Sequence, residues 1–436
     1  MSLQGRRLLL AGVPIVAVLA GVAGIVSTAR PQQRVSATPA SPHPRASETA
    51  LALGENFPCG TPAICNLPLP QPTPFVAPEE FTNFVPSSLS FANNNDGWVV
   101  GQGCDARRRC ETVAARTSDG GSSWRAVATP MDPQSENVGV TAASGSDAWI
   151  YGRGSEKTPF LLETHDGGAT WHEVDLHGAF VIDIAVASES VWVETGCPPE
   201  SGRCPTSIMS APAGGGPWAE LGVLPASVQE PPYSDARQAN PQLVRVGSRA
   251  WIVERGAGDS NLLRSDSGGH SWRELPQPCA SASDIHAAAT STTHLLLACS
   301  FFIGMGPSQP QEVWSSHDGG ASWALRSRRG FDTWTPPRPD RGSLHDGIPV
   351  DLAALDGVTA WMVNQPGDLV VTHDDGVTWS RPSLPADLDA AVDGGLVEGV
   401  MFADPRHGWI YTGEDLWTTI DGGVHWKQGY VAISPP

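Results

Sequence analysis

The residues best equipped for chemistry in this chain recur. Five aspartates, Asp119, Asp166, Asp318, Asp374 and Asp421, each sit in a stretch of the form Ser/Thr-x-Asp-x-Gly-x-x-Trp: TSDGGSSW, THDGGATW, SHDGGASW, THDDGVTW and TIDGGVHW. A pair of carboxylates within about 10 Å is what hydrolysis of a glycosidic bond requires. Several converging carboxylate oxygens would instead hold calcium. Both chemistries need the acids gathered at one place, and the spacing argues against that. The tryptophans closing these stretches are Trp124, Trp171, Trp323, Trp379 and Trp426, and two degraded copies, APAGGGPW and SDSGGHSW, add Trp218 and Trp272. The steps between them are 47, 47, 54, 51, 56 and 47 residues. Acids so evenly spaced belong to equivalent turns of separate units.

The elements that must carry those turns are legible around them. Some twenty residues before six of the seven tryptophans lies a short apolar strand with its own tryptophan: GWVVG, AWIYG, VWVET, AWIVE, AWMVN and GWIYT. In the fifth unit HLLLAC takes that place without one. Each unit reads as four short strands, A to D, joined by Gly/Asp/Pro turns, and none contains a run suited to a long helix. Four strands repeated seven times at this period predict an all-β, seven-bladed β-propeller over residues 80–436, with the aspartate stretch as its C–D turn. The turn chemistry follows from residue type. The aspartate is expected to accept from backbone N–H groups one and two positions on, and the glycine to take positive φ without a Cβ penalty. The Ser/Thr should satisfy another backbone group, while the tryptophan opens strand D. On this reading the five aspartates are architectural.

The motif resembles the Asp-box, or BNR repeat, of sialidases and other propellers. The resemblance to sialidases implies three arginines, a Tyr–Glu nucleophile pair and an acid aspartate, but no such set can be placed on this sequence. Taken with the GW-x-x-G strands, the repeats are more similar to the photosystem II assembly and stability factor family. That resemblance covers roughly residues 80–433 and implies a seven-bladed, non-enzymatic scaffold that binds protein.

Eight cysteines fall into sequential pairs, Cys59 and Cys65, Cys104 and Cys110, Cys197 and Cys204, Cys279 and Cys299. None is a CxxC, so local disulfides outside the cytoplasm are expected rather than zinc. The first thirty residues agree with export. Two arginines precede an uncharged apolar run over 8–26, long enough to cross a bilayer core of about 30 Å. An uncleaved anchor over 1–30 is favoured over a cleaved signal peptide. A Pro/Ala/Ser/Thr-rich linker is expected over 31–79. This makes the protein single-pass, with the propeller outside, or else secreted. Every acidic residue lies beyond position 45, and the 46 acids there face 22 basic residues, a formal charge of −24. Such a surface disfavours nucleic acid. Contact with membrane is expected through the N-terminal helix only.

Antiparallel strands put A–B and C–D turns on one face and B–C and D–A loops on the other. The irregular segments, CDARRRC, CPPESGRC, 224–240 and 326–347, all belong to the second kind. That face is the candidate binding surface, with Arg107, Arg108, Arg109, Tyr233, Arg237, Arg328, Arg329, Phe331, Trp334, Arg338 and Arg341 as its candidate residues. Arginine with aromatics is the composition of binding hot spots. The expected partner is a protein or a cell-envelope glycan. No cofactor, metal or catalytic residue is expected, since His165, His317 and His373 precede box aspartates as exposed turn residues. His286, His294 and His345 are placed near blades five and six without a spacing that demands convergence. The competing expectation is a glycan-active enzyme, for which Asp332, Asp340 and Asp346 are the acids available.

Overall fold

The computed structural model describes residues 83–105, 108–187, 189–196, 206–225, 242–253, 261–279, 281–302, 309–331, 338–345, 347–365, 367–413, 415–431 and 433–434. The expected anchor, the linker and the cysteines at 59, 65, 197 and 204 lie outside these residues. Among the described residues no helix is long and apolar enough to cross a membrane.

Seven antiparallel sheets follow one another along the chain. Their A strands are Asn83–Phe91, Glu136–Ala142, Phe180–Ala187, Gln242–Val246, Asp284–Ala289, Ile348–Ala354 and Val397–Phe402. Six blades carry four strands or more. In the sixth, Pro382 and Pro385 follow soon after the box tryptophan and remove ladder donors. Strand D there shrinks to a single Val371–Ser380 bridge. The chain instead forms the helix Ala386–Asp393, which buries Leu388 and Val392.

A strands lie side by side across the seams, and each would leave backbone N–H groups unpaired on its open edge. Polar side chains of the preceding blade accept them. Ser88 accepts from Val140 at 3.1 Å, Asp183 from Leu243 at 2.8 Å, Gln242 from Ala287 at 2.8 Å and Asp351 from Val400 at 2.9 Å.

The B-strand tryptophans seal the same seams. Trp98, Trp149 and Trp251 are wholly buried, and Trp192, Trp361 and Trp409 nearly so. Each packs toward the Asp-box of the next blade. A Cβ on Gly168 would stand 3.3 Å from the Trp98 ring, one on Gly269 would stand 3.0 Å from Trp192, and one on Gly423 would overlap Trp361. Trp251 and Trp409 donate Nε1–H to Gly319 O and Gly120 O of the following boxes, both at 3.0 Å. At Gly168, Gly269 and Gly423 the second box glycine is therefore fixed twice, by its φ of +85 to +89° and by the indole against it.

The last of these contacts closes the ring. Trp409 of blade seven reaches the first box, and its ring stacks on Phe91 of blade one, with centroids 3.6 Å apart and planes 7° from parallel. Leu416 and Val431 join Leu89, Val99 and Trp124 in one buried cluster. The chain then adds Ile433–Ser434 as a fifth strand, parallel to Trp124–Arg125 on the outer edge of blade one. Closure thus combines interblade packing with a short C-terminal strand.

The boxes are closed hydrogen-bond circuits. In the first, Asp119 Oδ1 accepts from Ser123 N at 2.9 Å and Oδ2 from Ser123 Oγ at 2.6 Å, while Thr117 Oγ1 accepts from Gly121 N at 3.0 Å. The same bonds recur at Asp166, Asp318 and Asp374, and at Asp421 with His425 in the serine's role. The aspartate thus reaches four residues on, not one or two as its type alone suggests, because the two left-handed glycines fold the chain back over it. In the fourth copy Ser267 Oγ takes the same donor, Ser271 N, at 2.9 Å.

These bonds favour the ionised carboxyl. Those from Ser322 hold Asp318 at about 2, and those from His425 hold Asp421 at about 2. A carboxyl lowered on folding stabilises the fold above its unfolded value and loses that contribution as pH falls toward the folded one. The double variant Asp318→Asn, Asp421→Asn is expected to melt lower than wild type at pH 6. The two melting curves should converge as pH is taken from 4 to 2. Parallel melting profiles across that range would refute the assignment.

Candidate functional site

The two faces separate as antiparallel topology requires. A–B turns bond to boxes within a blade, as Gly120 N to Asn95 O, Gly167 N to Ser146 O, Gly319 N to Thr293 O and Gly422 N to Arg406 O. On the other face the B–C loop of blade two meets the connection from blade one, where Asp132 accepts from Ser155 N at 3.1 Å.

Disulfides brace this second face. Cys104–Cys110 closes the B–C loop of blade one, and Cys279–Cys299 ties the connection between blades four and five to strand B of blade five. Within the first loop Arg108 is exposed at φ +60°, and Arg109 pairs with Asp105, its Nε 2.8 Å from Oδ2. Arg107 lies outside the described residues, as do Tyr233, Arg237, Asp332, Trp334 and Asp346.

The second arginine group is built on strands C and D of blade five, Gln311–Ser316 and Ala324–Arg329. Glu312 is 1% exposed and is the pivot. Its Oε1 accepts from Arg328 Nε at 2.6 Å and Arg338 NH1 at 3.4 Å, and its Oε2 from Trp314 Nε1 at 3.0 Å. Arg328 and Arg338 also lie over the Phe331 ring, at 5.7 and 5.6 Å from its centroid. Phe331 itself is fully buried and packs edge-on against Phe301 at 5.1 Å. It was expected to face a partner. It is a core anchor, because the chain turns inward at Gly330 (φ +84°) directly after strand D.

Past the described gap, the returning segment is pinned again. Arg341 and Arg328 exchange two backbone hydrogen bonds of 2.8 Å, and Arg329 NH1 donates to Leu344 O at 3.3 Å. Ser343 Oγ accepts from Trp379 N at 3.0 Å, and Leu344 is buried beside Trp379 in the core between blades five and six. Residues 341–344 are thus part of a seam. Arg338, Asp340 and Arg341 remain exposed above it, so this connection presents its charge from a base fixed at both ends. Blades one and five are separated by blades six and seven on the shorter arc, so Arg108 and Arg109 form a group apart from Arg338 and Arg341.

The histidines do not converge as one set. His286 meets Asp284 at 3.4 Å, His345 meets Asp368 at 2.8 Å, and His165 meets Asp147 at 2.9 Å. Glu312 is absent from the residues singled out in the sequence, although its partners Arg328 and Arg338 are among them. The available signal was the alternation of a lone Glu within a buried strand opposite two arginines.

A second polar group lies at the inner strands. Tyr411 stands over Gly399 and Tyr151 over Gly139, both glycines on A strands where a Cβ would strike the ring. Burial pushes the Tyr411 phenol up, and the carboxylates of Asp351 and Glu398 push it further. Tyr151 is raised likewise by burial, by Asp183 and by Tyr411.

Residues 79–181 match the family described as photosynthesis system II assembly factor YCF48, so the resemblance read from the repeats holds over that stretch. No curated protein matches. Among solved structures, YCF48 from Cyanidioschyzon merolae is 17% identical, with 78% of this chain and 96% of that one covered and a TM-score of 0.50. A structure of YCF48 bound to D1 peptide is 18% identical over 81% of this chain and 94% of that one, with a TM-score of 0.49. A PL25 ulvan lyase is 10% identical over 82% and 96%, with a TM-score of 0.43. At 17% identity the likeness to the Cyanidioschyzon merolae structure speaks to the fold alone.

Proposed function

We propose that this chain is an exported, membrane-tethered propeller that binds an anionic protein segment or envelope polymer through the face carrying its B–C and D–A loops. The observation that carries this reading is the connection after strand D of blade five. It buries Phe331, Leu344 and the Glu312 carboxylate beneath it, turns Arg338 onto that carboxylate and leaves Arg341 exposed. Side chains presented from a fixed base lose little freedom on binding, which is how a rigid scaffold gains affinity from loops. Arginine is the cation suited to carboxylate, sulfate and phosphate groups. On a domain of such negative charge, a local cationic patch selects its ligand by repelling others. The family match over 79–181 supports a scaffold role.

The test is binding of the exported domain to immobilised envelope fractions, with the captured partner identified by cross-linking. Arg341→Glu is expected to lower capture several-fold, and wild-type capture should weaken as salt rises. Capture unchanged by this reversal would remove this face from the proposal.

A second reading, a glycan-active enzyme, is favoured by the placement of Tyr411 beside Asp351 and Glu398. It requires sugar release from a panel of acidic polysaccharides, lost in Tyr411→Phe. Absence of turnover on such a panel would end that reading.

A further inference from the structure

Blade five differs from the other six at one position. The register that places Trp98, Trp251 and Trp409 one residue ahead of the partner of the box Ser/Thr places Leu296 there instead. The next box differs at the matching place. THDDGVTW has Asp375 where the other four intact boxes carry their first glycine, and Asp375 keeps the glycine's conformation at φ +60°. A non-glycine residue held in that region is strained and persists where its surroundings impose it. The missing indole and the strained aspartate meet across one seam.

Three ligand-type side chains converge there. His294 Nε2 lies 2.9 Å from Asp375 Oδ1, and His317 Nε2 lies 3.0 Å from Oδ2. The donor atoms of all three residues fall within 4.8 Å of one another. His294 and Asp375 are buried, at 5% and 7% exposure, and His317 closes the cluster from solvent. Thr290 Oγ1 holds His294 Nδ1 at 2.8 Å, and a hydroxyl can serve either tautomer of the ring. Burial pushes the Asp375 carboxyl up, but bonds from His294, His317 and Ser315 outweigh it and hold it at about 2.

The protein's own bonds already engage this cluster, so a cation must compete with them. Arg326 donates through NH2 toward both Asp375 and His317 Nε2, the latter at 3.1 Å, while its Nε bonds Ser315 Oγ at 2.6 Å. His317 Nε2 therefore faces a carboxylate oxygen and a guanidinium N–H together. With a proton it opposes the guanidinium, and without one its lone pair opposes the carboxylate.

We infer that His294, His317 and Asp375 form a binding site for a divalent transition cation of the zinc class, clamping blade five to blade six where the seam tryptophan is absent. A cation turns all three lone pairs inward and removes the conflict at His317. A tetrahedral zinc with ligands at 2.0–2.1 Å sets ligand atoms about 3.3 Å apart, so the 2.9 and 3.0 Å contacts lengthen while any pair nearer the 4.8 Å limit closes. Two imidazoles and one carboxylate are a set that zinc accepts, with water in the fourth position. Arg326, partly exposed, swings outward as the cation enters, since the two compete for one carboxylate.

The experiment is zinc titration of the full chain against a chromophoric chelator, with melting followed in parallel. Wild type is expected to take up one tight equivalent and to melt higher with it. Asp375→Gly restores the residue other boxes use, and His317→Ala removes an exposed ring, so both should fold and both should bind at least ten-fold more weakly. Arg326→Gln should bind more tightly than wild type, whereas a seam held only by an ion pair would lose stability and gain no affinity. Absence of a tight equivalent in wild type, equal binding by the Asp375 and His317 variants, or no gain in Arg326→Gln would each overturn the assignment.

Discussion

Trp409→Ala is expected to cost about 3–5 kcal/mol of folding stability, the range for truncating a large buried aromatic. The reasons to expect the upper part of that range are specific. The ring is 2% exposed, stacks on Phe91 and donates to Gly120 O across the closing seam. Removing it deletes the contact that joins the last blade to the first, and the void cannot collapse without moving one blade against another. Trp323→Ala makes the control, since that side chain is only partly buried and bonds Pro276 O on the rim at 2.9 Å. Denaturant unfolding should rank the two losses clearly, with the first also raising susceptibility to protease between blades seven and one. Equal losses would mean that closure does not depend on the indole.

The second large effect is at Glu312. Glu312→Ala leaves Arg328, Arg338 and the Trp314 indole N–H facing a pocket without its acceptor. Breaking a buried pair by removing one partner costs about 3–5 kcal/mol. Glu312→Gln keeps an acceptor oxygen while discarding the charge, and should fall between alanine and wild type. The loss should be local in its consequences as well. Trypsin should cut after Arg341 faster in the alanine variant, while the melting of distant blades follows the global change alone. Should the alanine variant unfold near the wild-type midpoint with this connection still protected, Glu312 is not its pivot.

What the sequence made legible follows from how local each cause is. The box turn is complete within eight residues, so its hydroxyl, aspartate and glycines announce themselves, and their repetition fixes the number of blades. Only the reach of the aspartate was misjudged, because it depends on two successive left-handed residues acting together. Phe331 shows the opposite case. Its place in a long arginine-rich connection reads as surface, yet its burial is decided by Phe301 and by the Cys279–Cys299 bridge, which no spacing near position 331 reveals. Asp375 lies between these cases. The second aspartate of THDDGVTW and the tryptophan missing from HLLLAC are both visible as departures from the repeat. That they face each other is a property of the closed ring, since residues 294 and 375 are 81 positions apart.

The fifth strand of the first blade carries a consequence for biogenesis. Until residues 433–434 have emerged, the backbone of Trp124 and Arg125 offers an open β-edge, the kind of template on which unfinished chains cross-pair. The bond from Trp409 to the first box spans 289 residues, so it too waits for nearly the whole chain. A nascent propeller therefore keeps its first and last blades unjoined through most of its synthesis, and clipping a few residues from its tail would uncover the outer edge of blade one.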